Sequence, residues 1–247
     1  MIRAIVMKEW RVLFASPLAW VVLAFLQLIF GWVFLSRLNA FIEAQPQIAA
    51  MPTAPGLTQI VASPVFATAT IILLMVAPLL SMRLVAEERR SQTLPFLVSA
   101  PVSITQIVLG KFLALLGVLA IAVALILLMS LSLSLGARLD LGLLAANTLG
   151  LLLMAASFAA VGLYFSCVTA QPLLAAIGTY ALLLFLWLIN ISATTPDGLL
   201  NALSLVEHFE SFAQGSLALA DLGYYLVVIV LFLLLSIRRL DADRLRA

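Results

Sequence analysis

The sequence predicts an all-α polytopic membrane protein, with six transmembrane helices in a single domain that spans residues 1–247. Of its 247 residues, 65% are hydrophobic and only 10% are charged, whereas a soluble domain carries about 25% charged residues. The mean hydropathy is +1.23, and several apolar runs exceed the roughly 18 residues that mark a candidate spanning helix. A transmembrane barrel would instead alternate apolar and polar residues in segments of about ten, a pattern that this chain lacks.

The first element is an amphipathic elbow helix, predicted over residues 2–15, that includes Lys8 and Glu9. Its apolar residues recur at helical spacing and its bases lie on the other side, as in a helix that rests in the membrane interface. The recurring charge argues against a cleavable signal peptide. Glu9 falls on the apolar face, and two interpretations are open. The carboxylate lies at the edge of the helix and reaches water, or it pairs with Arg89 or Arg83 of a later charged segment.

Signals that start helices delimit the first three spans. Ser-Pro pairs are typical of the N-cap and first position of a helix, and two such pairs place transmembrane helix TM1 at 18–38 and TM2 at 64–84. Pro78 predicts a kink in TM2. Ser103 and Gln106 form a capping box that starts TM3, predicted at 103–135. At 1.5 Å per residue this helix is about 50 Å long, so we expect it to project from the bilayer near Lys111.

The remaining elements follow from the apolar runs and from the turn residues between them. The predicted elements are TM4 at 142–166, TM5 at 172–191, an outer amphipathic helix at 199–214 and TM6 at 222–238. Residues 39–62 are expected to form a loop outside the membrane, and residues 85–102 a coupling segment between TM2 and TM3.

The distribution of bases predicts the topology. Six spans place both termini on one side, and eleven of the 13 Lys and Arg residues then lie on that side, leaving Arg37 and Arg138 on the other. The positive-inside rule makes the first side cytosolic. The outer helix, with Glu207, His208 and Phe209, is then extracytoplasmic. The basic excess follows from topology, so we expect no nucleic-acid partner.

The sequence lacks the usual signatures of an enzyme or an ion-coupled transporter. The spans carry almost no ionisable residues in their middle, which argues against a proton pump, an ion-coupled carrier or a redox subunit. A phosphate loop needs a glycine five residues before its Gly-Lys pair and a Ser or Thr after the lysine. Gly110-Lys111 is not such a loop, because position 105 is Thr and position 112 is Phe. We predict no bound cofactor and no metal site. His208 and the acids beside it are interpreted as a solvated face of an interfacial helix.

The charged island between TM2 and TM3 is the strongest candidate for function. One interpretation is a solvated loop that satisfies topology. The other is a coupling element that inserts into a cleft of an ATPase, because the island offers both charge signs to fix the register of an interface and is followed by apolar anchors. The predicted ATPase-coupling residues are Glu87, Glu88, Arg89, Arg90, Thr93, Leu94, Phe96 and Leu97.

Three segments resemble type-2 (ABC-2 type) ABC transporter permeases. Lys8-Glu9 ahead of Ser16-Pro17 looks like their N-terminal elbow. Ala86-Glu-Glu-Arg-Arg-Ser-Gln-Thr-Leu94, followed by Ala100-Pro-Val-Ser103, is similar to their coupling segment, and Leu205-Val-Glu-His-Phe209 resembles their outer helix. The chain is most similar to the gliding-motility-associated branch. It departs from the family pattern at Pro95, where relatives commonly have Glu.

The resemblance implies a permease of the bacterial inner membrane that works in an ATP-driven exporter. Two permease subunits, expected here as a homodimer, would pair with two cytosolic ATPases, which would bind ATP and Mg. In this branch a membrane protein with a large extracytoplasmic domain is often associated, and membrane lipids surround the spans. A lumen without fixed charge favours a lipid-like, hydrophobic or glycan substrate. Two alternatives remain: a non-transporting subunit that transmits ATPase motion to an extracytoplasmic partner, and a membrane scaffold with no ATPase.

Overall fold

The computed structural model describes residues 2–49, 56–94, 102–136, 138–192 and 203–244, and within these ranges the chain is helical and has no strand. The elements in chain order are α1 (Ile2–Ala15), α2 (Pro17–Ala49), a π-helical turn (Thr58–Ala62) that continues as α3 (Ser63–Ser81), α4 (Ala86–Arg90), α5 (Ile104–Ser132) with a 3₁₀ turn (Leu133–Leu135), α6 (Leu141–Val168), α7 (Pro172–Ser192), α8 (Leu205–Ala213) and α9 (Leu219–Arg244). Among the described residues, six helices are long and apolar enough to cross a membrane, namely α2, α3, α5, α6, α7 and α9. The all-helical prediction with six candidate spans is therefore confirmed.

The first spanning helix, α2, is longer than the sequence indicated. It continues to Ala49 instead of stopping near residue 38, and the expected loop at 39–62 is helical over 39–49 and 58–62. A polar segment can be helical as well as a loop, because Ala, Gln and Glu are good helix formers, and here the helix continues through Pro46. With 33 residues, α2 is about 50 Å long and extends well beyond a hydrocarbon core of about 30 Å.

The small-residue helix α6 lies at the centre of the bundle and contacts α3, α5, α7, α8 and α9. Glycines let its neighbours approach closely. A Cβ atom on Gly150 would lie only 2.7 Å from the Cβ of Phe212 in α8, and one on Gly162 would lie 2.5 Å from the Cβ of Ser81 in α3. The composition of α6 therefore sets the spacing of the bundle.

The elbow helix α1 packs against α5 along a stripe of small residues. Gly110, Ala114 and Gly117 recur every three or four positions, so they share one face of α5. Ile5 fits against Gly110, and Trp10 fits against Gly117. The indole Nε1 of Trp10 also donates to the backbone oxygen of Ala114 at 2.9 Å. This docking brings the polar residues of α1 beside α5 and α4.

Two ends of the bundle can be distinguished. At the α4 end, α1, α4 and the last turns of α9 meet through ion pairs. At the α8 end lie α8, the start of α6 and the π-helical turn before α3, where the backbone N–H of Asp140 donates to the Thr58 hydroxyl at 2.9 Å. The α4 end carries the candidate functional site.

Candidate functional site

The short helix α4 is fixed to the bundle through a buried hydroxyl of α6. The backbone N–H groups of Val85 and Ala86 both donate to Ser166 Oγ at 3.0 Å, and Ser166 donates in turn to the backbone oxygen of Met82 at 3.1 Å. Ser166 is fully buried. These bonds satisfy N–H groups at the start of α4 that have no partner within the helix, so one side chain sets where α4 begins.

A Schellman-type turn ends α4. The N–H of Thr93 donates to the Glu88 oxygen at 2.9 Å and the N–H of Gln92 to the Arg89 oxygen at 3.3 Å, the pairing that defines this motif. Gln92 has a φ of 56°, in the left-handed region where glycine is the usual residue. The turn exposes Thr93 and directs Leu94 into the core, where it is 8% exposed.

The four charged residues of α4 divide into an inward pair and an outward pair. Glu87 and Arg90 are exposed, whereas the side chains of Glu88 and Arg89 are only 18% and 20% exposed. Residues three apart share a face of a helix, so Glu87 and Arg90 form one outward face. The sequence predicted that all four residues contact the ATPase. In the structure, Glu88 and Arg89 form ion pairs with other helices of this chain.

Lys111 of α5 is the centre of a buried charge cluster. Its Nζ lies 3.0 Å from Glu9 Oε1, 2.8 Å from Glu88 Oε1 and 2.6 Å from the backbone oxygen of Leu84. An ammonium group has three N–H donors, so all three are used. The side chain of Lys111 is 1% exposed. Lys111 is therefore covered by α1 and α4 and makes no free contact with solvent at this end of α5.

A second lysine balances the cluster. Lys8 Nζ lies 3.1 Å from Glu9 and 3.3 Å from Glu88, so two lysines face two glutamates and the net charge is zero. Burial opposes the charge of Lys8, but the carboxylates of Glu9 and Glu88 outweigh it, and the pKa of Lys8 is raised above its ordinary value. We call Lys8, Glu9, Glu88 and Lys111 the four-charge cluster.

Both interpretations of Glu9 require correction. Among the residues of α1, Ile2–Ala15, only Glu9 is buried, so its carboxylate does not reach water at the edge of the helix. It pairs with Lys111 and Lys8, not with Arg89 or Arg83. The docking of α1 on α5 is the physical reason, because it places Glu9 over Lys111. The expected link between elbow and island is nevertheless present through Glu88, which shares both lysines with Glu9.

The inward arginine ties α4 to two other helices. Arg89 Nη2 donates to the backbone oxygen of Cys167 at 2.7 Å and to Asp243 Oδ2 at 2.5 Å. Asp243 also lies 3.5 Å from Arg239. Cys167 is near the end of α6 and Asp243 near the end of α9. Together with the four-charge cluster, this arginine connects α4 to α1, α5, α6 and α9.

The outward face of α4 borders an open groove of about 440 Å³. Glu87, Arg90 and Arg83 supply charges of both signs, and Gln171 and Pro172 at the start of α7 form part of the opposite wall. Of the other predicted contact residues, Thr93 is exposed but Leu94 is in the core, so Leu94 is not a solvent-facing anchor. Phe96, Leu97 and the atypical Pro95 lie outside the described residues.

The α8 end holds a separate histidine–carboxylate pair. His208 Nδ1 lies 2.6 Å from Asp221 Oδ1, and its ring stacks on Tyr224 with centroids 4.0 Å apart. Phe209 is buried and Glu207 is exposed. The interpretation of His208 as part of a solvated face is wrong, because its side chain is 15% exposed and pairs with Asp221. Among the described residues, no group of three His, Cys, Asp or Glu side chains could hold a metal.

Sequence reasoning missed the residues that hold α4 in place. Lys111 carried a usable signal, since a lone lysine in an otherwise apolar helix needs a buried partner. Ser166 and Asp243 carried none, because a serine in a spanning helix and an acid near the chain end are ordinary.

Comparison with known proteins places the chain in a family. No curated protein matches it in a sequence search. A family model described as ABC-2 family transporter protein matches residues 3–245, which is nearly the whole chain and includes all the helices described above except the first residue of α1. The chain therefore belongs to the ABC-2 family of transporter proteins.

Proposed function

We propose that this chain is the permease subunit of an ATP-driven exporter in the bacterial inner membrane, and that the outward face of α4 binds a cytosolic ABC ATPase. Members of the ABC-2 family are membrane permease components without their own ATPase, and membership implies a separate ATPase partner. The observation that carries the proposal is the division of α4 into an inward pair that binds four helices and an outward pair that faces a groove.

The geometry supports a route for transmitting motion. A partner that displaces α4 through Glu87 and Arg90 would pull on Glu88 and Arg89 at the same time. Glu88 is held by Lys111 of α5 and Lys8 of α1, and Arg89 is held at the ends of α6 and α9. Because these contacts are short and largely buried, α4 and the attached helices would move together. ATP and Mg would be bound by the ATPase, and this chain would supply the moving membrane part.

The remaining parts of the proposal rest on topology and on the lipid-facing surface. The α4 end is cytosolic by the positive-inside rule, because most Lys and Arg residues lie on that side. Two copies of the chain form the permease, with a path between the apolar faces of α2, α3 and α7. Large apolar side chains are exposed on α2 and α7, for example Trp32 at 74% and Phe185 at 61%. A lipid-like, hydrophobic or glycan substrate suits such a path better than a bare ion.

Charge reversal on α4 tests the proposal. In the complex co-expressed with its ATPase and reconstituted in nanodiscs, the double variant Glu87→Lys and Arg90→Glu should release the ATPase or abolish transport-linked ATP hydrolysis. Glu88 is left unchanged, because its replacement would also break the four-charge cluster. The matched control reverses Glu207, which is exposed at the α8 end, and should behave as wild type. Normal ATPase binding and hydrolysis in the α4 variant would contradict the docking assignment.

One observation favours a second function, in which the chain transmits ATPase motion to an extracytoplasmic partner without transport. Helix α2 extends beyond the bilayer, and residues such as Asn39, Ile42 and Glu43 are exposed along the extension. The resemblance to the gliding-motility-associated branch agrees with such a partner. Two measurements discriminate the functions. Stimulation of ATP hydrolysis by a candidate substrate, with flux into vesicles, supports transport. ATP-dependent rearrangement of a bound outer domain without flux supports transmission.

A further inference from the structure

A small apolar cleft opens between α1, the start of α2 and the end of α3. Its volume is about 120 Å³. The lining includes Val12 and Leu79, which are 58% and 40% exposed, and Leu80, which is buried. The mixture of exposed and buried walls means that the cleft opens at the surface of the bundle and continues inward. If α1 rests in the membrane interface, as its amphipathic pattern predicts, the cleft beside it lies at the level of the lipid headgroups.

An arginine with no partner among the described residues lies beside the cleft. Arg83 lines it and is exposed. Arg83 makes no hydrogen bond or ion pair with any residue in the described ranges. The other exposed bases near α4 do not line the cleft. A guanidinium group binds phosphate through two parallel N–H bonds, better than an ammonium group does. Arg83, which also borders the groove beside α4, therefore offers a phosphate site next to an apolar slot.

We propose that this cleft binds an anionic phospholipid of the inner leaflet, with the phosphate on Arg83 and the first part of one acyl chain against Val12, Leu79 and Leu80. A free phosphate would use the guanidinium but not the apolar walls, so the lining favours a lipid. The inner-leaflet assignment rests on the orientation in the proposed function, and anionic lipids attract basic residues at that surface. Glu9 also lines the cleft, and the charge of its carboxylate is balanced by the two lysines of the four-charge cluster.

The bound lipid would touch the coupling machinery. Glu9 is shared between the cleft and the four-charge cluster, and Leu84, whose backbone oxygen accepts from Lys111, lines the cleft as well. A lipid wedged between α1 and α3 would hold Glu9 over Lys111. The lipid would thereby favour the arrangement in which α4 is tied to α1 and α5.

Native mass spectrometry of the purified chain in detergent tests the site without any ATPase. The probes are phosphatidylglycerol, phosphatidylcholine and inorganic phosphate. We expect phosphatidylglycerol to bind more tightly than phosphatidylcholine. Arg83→Gln should weaken the binding of phosphatidylglycerol about tenfold, so that the two lipids bind equally well. Val12→Trp, which fills the cleft, should weaken both lipids. Arg138→Gln, at the opposite end of the bundle, is the matched control and should bind as wild type.

Three results would overturn the proposal. Unchanged phosphatidylglycerol binding by Arg83→Gln would remove the phosphate contact. Unchanged binding by Val12→Trp would remove the acyl slot. Displacement of phosphatidylglycerol by millimolar inorganic phosphate would show a site for free phosphate only. Because Arg83 has no partner among the described residues, the variant should keep the thermal unfolding temperature of wild type, and binding stays measurable even if the ATPase assignment fails.

Discussion

Replacing Lys111 with methionine is expected to destabilise the protein strongly, because it leaves two carboxylates with one partially exposed lysine. Methionine retains most of the length and apolar character of the lysine stem, so little packing is lost. The ammonium group makes three hydrogen bonds from a side chain that is 1% exposed. Removing one partner of a buried ion pair costs about 3–5 kcal/mol. Lys8 still contacts both Glu9 and Glu88, so we expect a loss near the lower value.

Thermal unfolding in detergent measures this loss. A change of about 3 kcal/mol in a chain of this size lowers the Tm by about 6–12 °C. The triple variant Lys111→Met, Glu9→Gln and Glu88→Gln removes the buried charges together and should recover most of the Tm, since a neutral replacement of a buried pair is close to neutral in stability. A Tm of the single variant within 2 °C of wild type would refute the reasoning. A triple variant no more stable than the single one would refute it equally.

Three further predictions concern α1, the α8 end and pH. Gly117→Val should detach α1 and lower the Tm measured by thermal unfolding, because a Cβ there would lie 2.4 Å from the Trp10 ring. His208→Gln should cost about 1.5–3 kcal/mol, measured in the same assay, because it breaks a short contact with Asp221. The pKa of Lys8 is raised in the folded state. The stability that the charged Lys8 contributes is therefore complete below the ordinary lysine pKa of about 10.4. It is lost as pH rises through the higher pKa of the folded state. The Tm difference between wild type and a Lys8→Met variant should therefore stay constant from about pH 7 to 9.5 and shrink only at higher pH.

Matched controls separate these effects from general damage. Gly31→Val adds the same side chain at a position where the new Cβ meets no other side chain or helix of the described residues within 4 Å, and it should leave the Tm unchanged. Glu210→Gln removes an exposed charge of α8 and should shift the Tm far less than His208→Gln. Equal shifts in either comparison would contradict the assigned contacts. If the Tm difference between wild type and Lys8→Met decreased from pH 7 to pH 9, this would contradict the direction of the pKa shift of Lys8.

The sequence was sufficient to predict the membrane fold because bilayer thickness imposes a length on each apolar run. Local signals also placed helix starts well, and Ser103 accepts a hydrogen bond from the Gln106 N–H at the start of α5. The extension of α2 was missed because a polar segment outside the membrane can be helix or loop. The helix propensity of the segment and the residues packed around it decide between helix and loop.

The sequence singles out the charged residues of α4, but not their division into an inward and an outward face. Helical spacing alone pairs Glu87 with Arg90, yet it does not say which face of α4 is inward. That choice depends on Lys111 and Asp243, which are distant along the chain. The partner of Glu9 was mistaken for the same reason, because the docking of α1 depends on small residues of a helix about a hundred positions later.

Site-specific photo-crosslinking tests the central claim most directly. A photoreactive amino acid is introduced at position 87 or 90 on the outward face of α4, and at position 210 at the α8 end as the control. The complex is irradiated in native membranes, and the adducts are identified by mass spectrometry. We predict adducts with an ATP-binding protein that carries a Walker A motif from positions 87 and 90, and none with that protein from position 210. Absence of the ATPase from the α4 adducts, or an equal yield from position 210, would contradict the claim that this face of α4 couples the permease to its ATPase.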